Sequence, residues 1–168
     1  MKNLFLLLIL TTQIVCAQDK SLDFTELLKA IPTETHGFSL SKEPNGVNLG
    51  SGAINYSNAS KNYTKDAQKL AITITDYNGF KAMYTNNIGL KDDYYLEDEY
   101  TRVKVIRLNG YKAILSYDKK DHEASLIVGI QGRYIIMIVI SPVDEESITK
   151  TLFDSIDIGF LLQDMKAS

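Results

Sequence analysis

Residues 135–140 read Ile-Ile-Met-Ile-Val-Ile, and the nearby residues 126–128 read Leu-Ile-Val. A strand with one wet face alternates apolar and polar side chains, whereas these two segments are apolar on both faces. Covering them on both sides is the expectation that follows. At about 25 cal/mol per Å2, leaving such a face in water would cost several kcal/mol.

The flanking sequence makes that run one arm of a meander. Residues 100–108 form a strand, and Asn109-Gly110 tolerates the positive φ angles of a type I′ hairpin before residues 111–117 return. Asp118-Lys119-Lys120-Asp121 turns the chain again, residues 124–130 form a third strand, and Gln131-Gly132 leads into residues 133–141.

Upstream the pattern is mixed. Phe24, Leu27, Leu28 and Ile31 stand at helical spacing over residues 22–31, and Pro32 stops the run. The polar, glycine-rich residues 43–52 read as a connection between a short strand, 38–40, and a longer exposed strand, 53–63. Residues 69–77 alternate Leu70, Ile72 and Ile74 against Thr73, Thr75 and Tyr77. Beyond Gly79, Phe80, Met83, Tyr84 and Ile88 make one face of a second helix. A last helix over residues 145–155 offers Ile148 and Leu152, with Ile156, as a covering stripe. The expected fold is α+β: an antiparallel sheet of about six strands, the last four a meander, with helices packed on both faces.

The N-terminus addresses the compartment. Lys2, the run Leu4 to Leu10 and the exit Val15-Cys16-Ala17 have the charge, apolar core and small-residue end of a secretory signal. Residues 1–17 are expected to be removed by a cut after Ala17, leaving residues 18–168 as a single domain, periplasmic or secreted. A lipid anchor on Cys16 is disfavoured, because Val15 and Gln13 stand where a lipoprotein signal carries a small and a leucine-like residue. The only cysteine of the 168 residues then leaves with the signal, so the domain relies on its core without disulfides. Losing Lys2 takes the formal net charge from −3 to −4. With no lysine or arginine cluster, that balance disfavours nucleic acid as a partner. The mature segment holds no stretch long enough to span a membrane.

The order of strands, one helix, an antiparallel meander and a C-terminal helix resembles the Mog1/PsbP-type α/β/α sandwich. The chain is also similar to small exported proteins of Gram-negative bacteria. They share an "IP" step before a "GF" strand, here Ile31-Pro32 and Gly37-Phe38, and a strand matched by Leu70, Ile72, Thr73, Ile74, Thr75, Asp76 and Tyr77. The segments NGYKAI and GRYIIMIVI fit the same pattern. The resemblance implies a fold and an exported location, and it brings no catalytic motif. Members of that superfold mostly bind other proteins.

Catalytic signals are sparse. A nucleophilic site needs an activated Ser, Thr or Cys, yet the mature chain offers two histidines, His36 and His122, and no G-x-S-x-G elbow. Zinc would need three or four ligands, so no metal and no cofactor is expected. Gly50-Ser51-Gly52 lacks the lysine and following helix of a phosphate loop. The Asn-x-Ser/Thr triplets at Asn55, Asn58 and Asn62 read as a polar, exposed strand, and Asp154-Ser155-Ile156 resembles an O-glycosylation triplet.

The most unusual segment is residues 91–100, with five carboxylates and three tyrosines. As a recognition loop, Tyr94, Tyr95 and Tyr100 would supply rigid contact area while Glu97 and Asp98 select cationic groups. As a plain connection, the tyrosines would cover the end of the core. Calcium has little support, because the spacing lacks the glycine of an EF-hand loop. Tyr56, Tyr63 and Tyr77 could join those tyrosines around a groove for a peptide or glycan. The leading expectation is an exported, non-enzymatic binding module of the cell envelope that recognises a protein or peptide. A hydrolase using the acidic-loop carboxylates with His122, and a structural envelope component, are the alternatives.

Overall fold

The computed structural model describes residues 21–51, 54–78 and 80–167. The expected signal segment, its cut after Ala17 and Cys16 lie outside them. Among the described residues ten strands form one antiparallel sheet: β1 Glu34–Thr35, β2 Phe38–Leu40, β3 Asn45–Ser51, β4 Ile54–Lys65, β5 Gln68–Asp76, β6 Tyr95–Glu97, β7 Thr101–Leu108, β8 Tyr111–Asp118, β9 Glu123–Ile130 and β10 Tyr134–Ser141. Their order is β1-β2-β4-β5-β10-β9-β8-β7-β6, with β3 pairing the stretch of β4 that β2 leaves free. The described helices are short: α1 Phe24–Ala30, α2 Lys81–Ile88, α3 Ile148–Phe153 and α4 Ile158–Ala167.

The meander runs β7-β8-β9-β10 in continuous register. Asn109 and Gly110 take φ of +51° and +84°, and Gln131 and Gly132 take +50° and +73°. The two-residue turn at Asn109-Gly110 and the three-residue turn Gln131-Gly132-Arg133 thus each contain the left-handed pair that matches strand twist. His36 (+48°) and Gly37 (+82°) repeat the device between β1 and β2.

The architecture differs from the expectation of about six strands with helices on both faces. The strand count is ten, and three of the four described helices belong to one side. Leu27, Ala30 and Ile31 from α1 and its end, Leu152 and Phe153 from α3, and Leu161 from α4 pack on Leu70, Ile72, Ile74, Leu126, Val128, Ile136 and Ile138. The opposite face carries only α2 among the described helices, and its Ile88 and Tyr84 meet Ile114, Ile127 and Ile135 in a small second core. At Gly129 a Cβ would lie 2.5 Å from the Tyr84 hydroxyl, so glycine is what lets that ring lie on the sheet.

An eight-residue helix is only about 12 Å long, and β10 alone is about twice that. Coverage therefore runs out along the strand. Ile135 is 6% exposed, whereas Met137, two residues on and on the same face, is 39% exposed. The side of residues 135–140 that was expected to be shielded is half open.

Three strands, β1, β3 and β6, stand where no strand was expected. The glycine-rich residues expected to be a connection are β3, a seven-residue edge strand, and part of the acidic segment is β6. Glycine and asparagine are poor strand formers, so only pairing with β4 makes β3 a strand.

At one end of the sheet Asp76 is fully buried and takes two bonds from Arg133, Nε at 2.9 Å and Nη2 at 2.8 Å. It also accepts the backbone amides of Leu22 (2.8 Å) and Asn78 (2.9 Å). This carboxylate pins the segment leading into α1 to the ends of β5 and β10. At the far end of α1, buried Lys61 donates to the Ile31 carbonyl at 2.6 Å, a cation where the helix leaves carbonyls unpaired. Burial lowers its pKa.

Candidate functional site

The acidic segment lies on the β6–β7 margin, and the structure spends its charges internally. Glu97 pairs with Arg102 at 2.9 Å and Lys119 at 3.0 Å, and accepts the Tyr95 hydroxyl. Those bonds, Arg102's first, hold the Glu97 carboxyl down to about 2, and the bond to Glu97 in turn pushes the Tyr95 hydroxyl above its ordinary value. Arg102 and Lys104 both reach Glu146, at 3.2 and 2.8 Å, and tie the margin to the segment before α3. Burial alone would raise the Glu146 pKa, but the bond from Lys104, its own amide and the two cations keep it lowered.

Asp92 and Asp98 are occupied in the same way. Asp92 bridges Lys112 and Arg107, and both lower its pKa. Asp98 accepts the Thr101 amide at 2.7 Å and the Tyr100 amide at 2.8 Å, which lower its pKa and close the turn into β7. Tyr94 extends the edge through its carbonyl, which accepts the Val105 amide at 3.0 Å. Tyr95 and Tyr100 are exposed, at 60% and 58%, as is Leu96 between them at 41%. The structure thus brings Tyr95 and Glu97 into contact, but it makes edge pairing, turn closure and ion pairs of the rest.

The tyrosines expected around one groove separate into three places. Tyr63 is buried beneath α1 and donates to the Pro32 carbonyl. Burial raises its pKa. Tyr94, Tyr95 and Tyr100 stay at the β6 margin, six strands away from β4. Tyr56 and Tyr77 come together on the open face, ring centroids 6.2 Å apart and planes 28° from parallel.

That pair marks a second candidate. Around it Val47, Asn58, Thr75, Phe80 and Met83 complete a cleft of about 500 Å3 between the β3–β4–β5 margin and the start of α2. The Asn58 amide donates to the Thr75 hydroxyl at 2.8 Å, fixing the cleft floor. Val47 (42% exposed), Leu49 (46%), Met83 (38%) and Met137 gather on this side. Between them the face carries Ser60, Asn62, Ala71 and Thr73, small side chains that need no dry cover. The sequence hint was there in Tyr56 and Tyr77, but their meeting depends on the β4–β5 register.

The histidines lie on separate turns, and both are exposed. His122 approaches the Tyr117 hydroxyl at 3.2 Å and lines a hollow of about 610 Å3 with Gln68, Pro142, Val143, Asp144, Glu145 and Ile148. None of the carboxylates of residues 92–99 lines that hollow. Among the described residues no three His, Cys, Asp or Glu side chains gather to hold a metal ion. No described helix is long and apolar enough to cross a membrane. Ser155 is half-buried and donates to the Leu152 carbonyl at 2.6 Å. Comparison with protein-family models, with curated proteins and with solved structures found no match for the chain. Nothing in those comparisons supports the likeness to the Mog1/PsbP-type sandwich drawn from the order of elements.

Proposed function

We propose that the chain is an exported, non-enzymatic binding module of the cell envelope, and that it takes a protein or peptide segment on the open face of its sheet. The observation that carries this reading is the position of Tyr56, Tyr77, Phe80 and Met83 around one cleft on a face that α2 covers only in part. Stacked tyrosines beside exposed methionine and valine supply large contact area at low cost in side-chain entropy, and methionine adapts to varied apolar partners. The acidic segment supports the same choice by default, since Glu97, Asp98 and Asp92 already have partners.

Selecting a displayed peptide library on the full chain tests the reading. Peptides with apolar residues at alternate positions are expected to enrich. Met83→Asp with Tyr56→Ser should weaken their binding roughly tenfold or more, the scale of a contact at the centre of an interface. Tyr95→Ala with Tyr100→Ala should leave it unchanged. Loss on the second pair with retention on the first would overturn the reading.

A further inference from the structure

The three strands of this sheet that face outward are not alike. β1 has two residues, and β6 has three and carries Glu97. β3 has seven residues, Asn-Gly-Val-Asn-Leu-Gly-Ser, with no charge and no proline, and among the described residues no strand pairs with its outer edge. Short length, charge and proline are the devices that keep an edge from pairing with another chain, and β3 has none of them.

Its sequence is also symmetric about Asn48. Laid antiparallel against itself with Asn48 opposite Asn48, β3 places Gly46 opposite Gly50, Val47 opposite Leu49, and Asn45 opposite Ser51. Every pair matches in kind: apolar with apolar, glycine with glycine, small polar with small polar. Val47 and Leu49 share the open face and are 42% and 46% exposed, so each pair would bury apolar surface that the single chain leaves wet. On the helix side the strand is already held. The Asn48 side-chain carbonyl accepts the Phe24 amide at 2.8 Å, its side-chain amide donates to Asp23, and the Phe24 ring lies where a Cβ on Gly46 would be. An edge fixed in this way loses little conformational freedom on pairing.

We propose that β3 pairs antiparallel with β3 of a second copy of this chain, about a two-fold axis at Asn48, to give a dimer with one continuous sheet. A two-fold arrangement closes on itself and removes the edge without starting a fibre. A seven-residue edge spans only about 24 Å, which makes the contact small and the dimer reversible. The two β4 strands would stand three strand spacings apart, about 14 Å across the sheet, so that the two clefts adjoin.

Sedimentation equilibrium of the full chain over a wide concentration range tests this independently of any peptide binding, because it reads mass. A monomer–dimer equilibrium is expected. Val47→Lys and Leu49→Glu should each raise the dissociation constant by ~10-fold or more, since each sets a charge opposite an apolar side chain. Combined in one chain, the two substitutions set the new lysine of each copy against the new glutamate of the other, and dimerisation should return. That rescue separates pairing from mere damage to the fold, which circular dichroism monitors. A monomer at every concentration, including one whose β3 edge takes up a foreign strand, overturns the proposal. So does a dimer indifferent to all three variants.

Discussion

The two margins of the sheet use opposite chemistry. At β6–β7, carboxylates and cations interlock: Glu97, Arg102, Lys104, Lys119 and Glu146 form one chain of contacts. At β3–β4 the edge strand is uncharged and its exposed side chains are apolar or amide. The margin that is conspicuous in composition has Asp92, Glu97 and Asp98 tied to its own cations and amides, while the plain one presents an uncharged, apolar edge. Abundance of functional group types in a segment is therefore a poor guide to whether they are free to act.

Three variants would break or sharpen that contrast. The largest effect belongs to the buried pair that anchors the β3–β4 side. Asp76→Ala removes the partner of Arg133 and leaves the Leu22 and Asn78 amides without their acceptor. Breaking a buried, hydrogen-bonded pair costs about 3–5 kcal/mol. Urea denaturation should show that loss, and hydrogen exchange should rise in α1 and β3 before it rises in β7. Equal loosening of both margins would mean that they are not separately held.

A smaller cost is expected from Glu146→Ala, which strips Arg102 and Lys104 of a carboxylate that is itself nearly buried. Hydrogen bonds to charged groups contribute about 1.5–3 kcal/mol, and the partial exposure of both cations places the loss at the low end. Here exchange should rise in β6 and β7 and not in β3.

The smallest effect is a pH dependence at Glu97. Its folded pKa, pushed down to about 2 by Arg102, Tyr95 and Lys119, lies below the ordinary 4.5. The unfolded chain therefore binds the proton more readily in that window. The stabilising contribution is complete above 4.5 and is lost as pH falls toward 2. Glu97→Gln should flatten that limb of the acid-unfolding curve, and a carboxyl resonance of Glu97 titrating near 4.5 in the folded protein would contradict the ion-paired margin.

Much of the meander could be read before any coordinates. Asn109-Gly110 and Gln131-Gly132 announce their turns because positive φ is a local property of the residues themselves. The turn at His36-Gly37 uses the same property, but its strands are two and three residues long and leave no periodic pattern around it. The candidate cleft was legible only as two tyrosines among ten.

By itself, the chain determined what local steric and periodic rules can express: where the meander turns, which of its strands carry apolar residues on both faces, and where α1 stops. Tertiary structure alone decided that β3 is a strand, that Met137 stays wet, and that Glu97 and Asp98 are occupied. Those outcomes depend on which distant backbone or cation lies alongside, and on how far an eight-residue helix reaches over a much wider sheet.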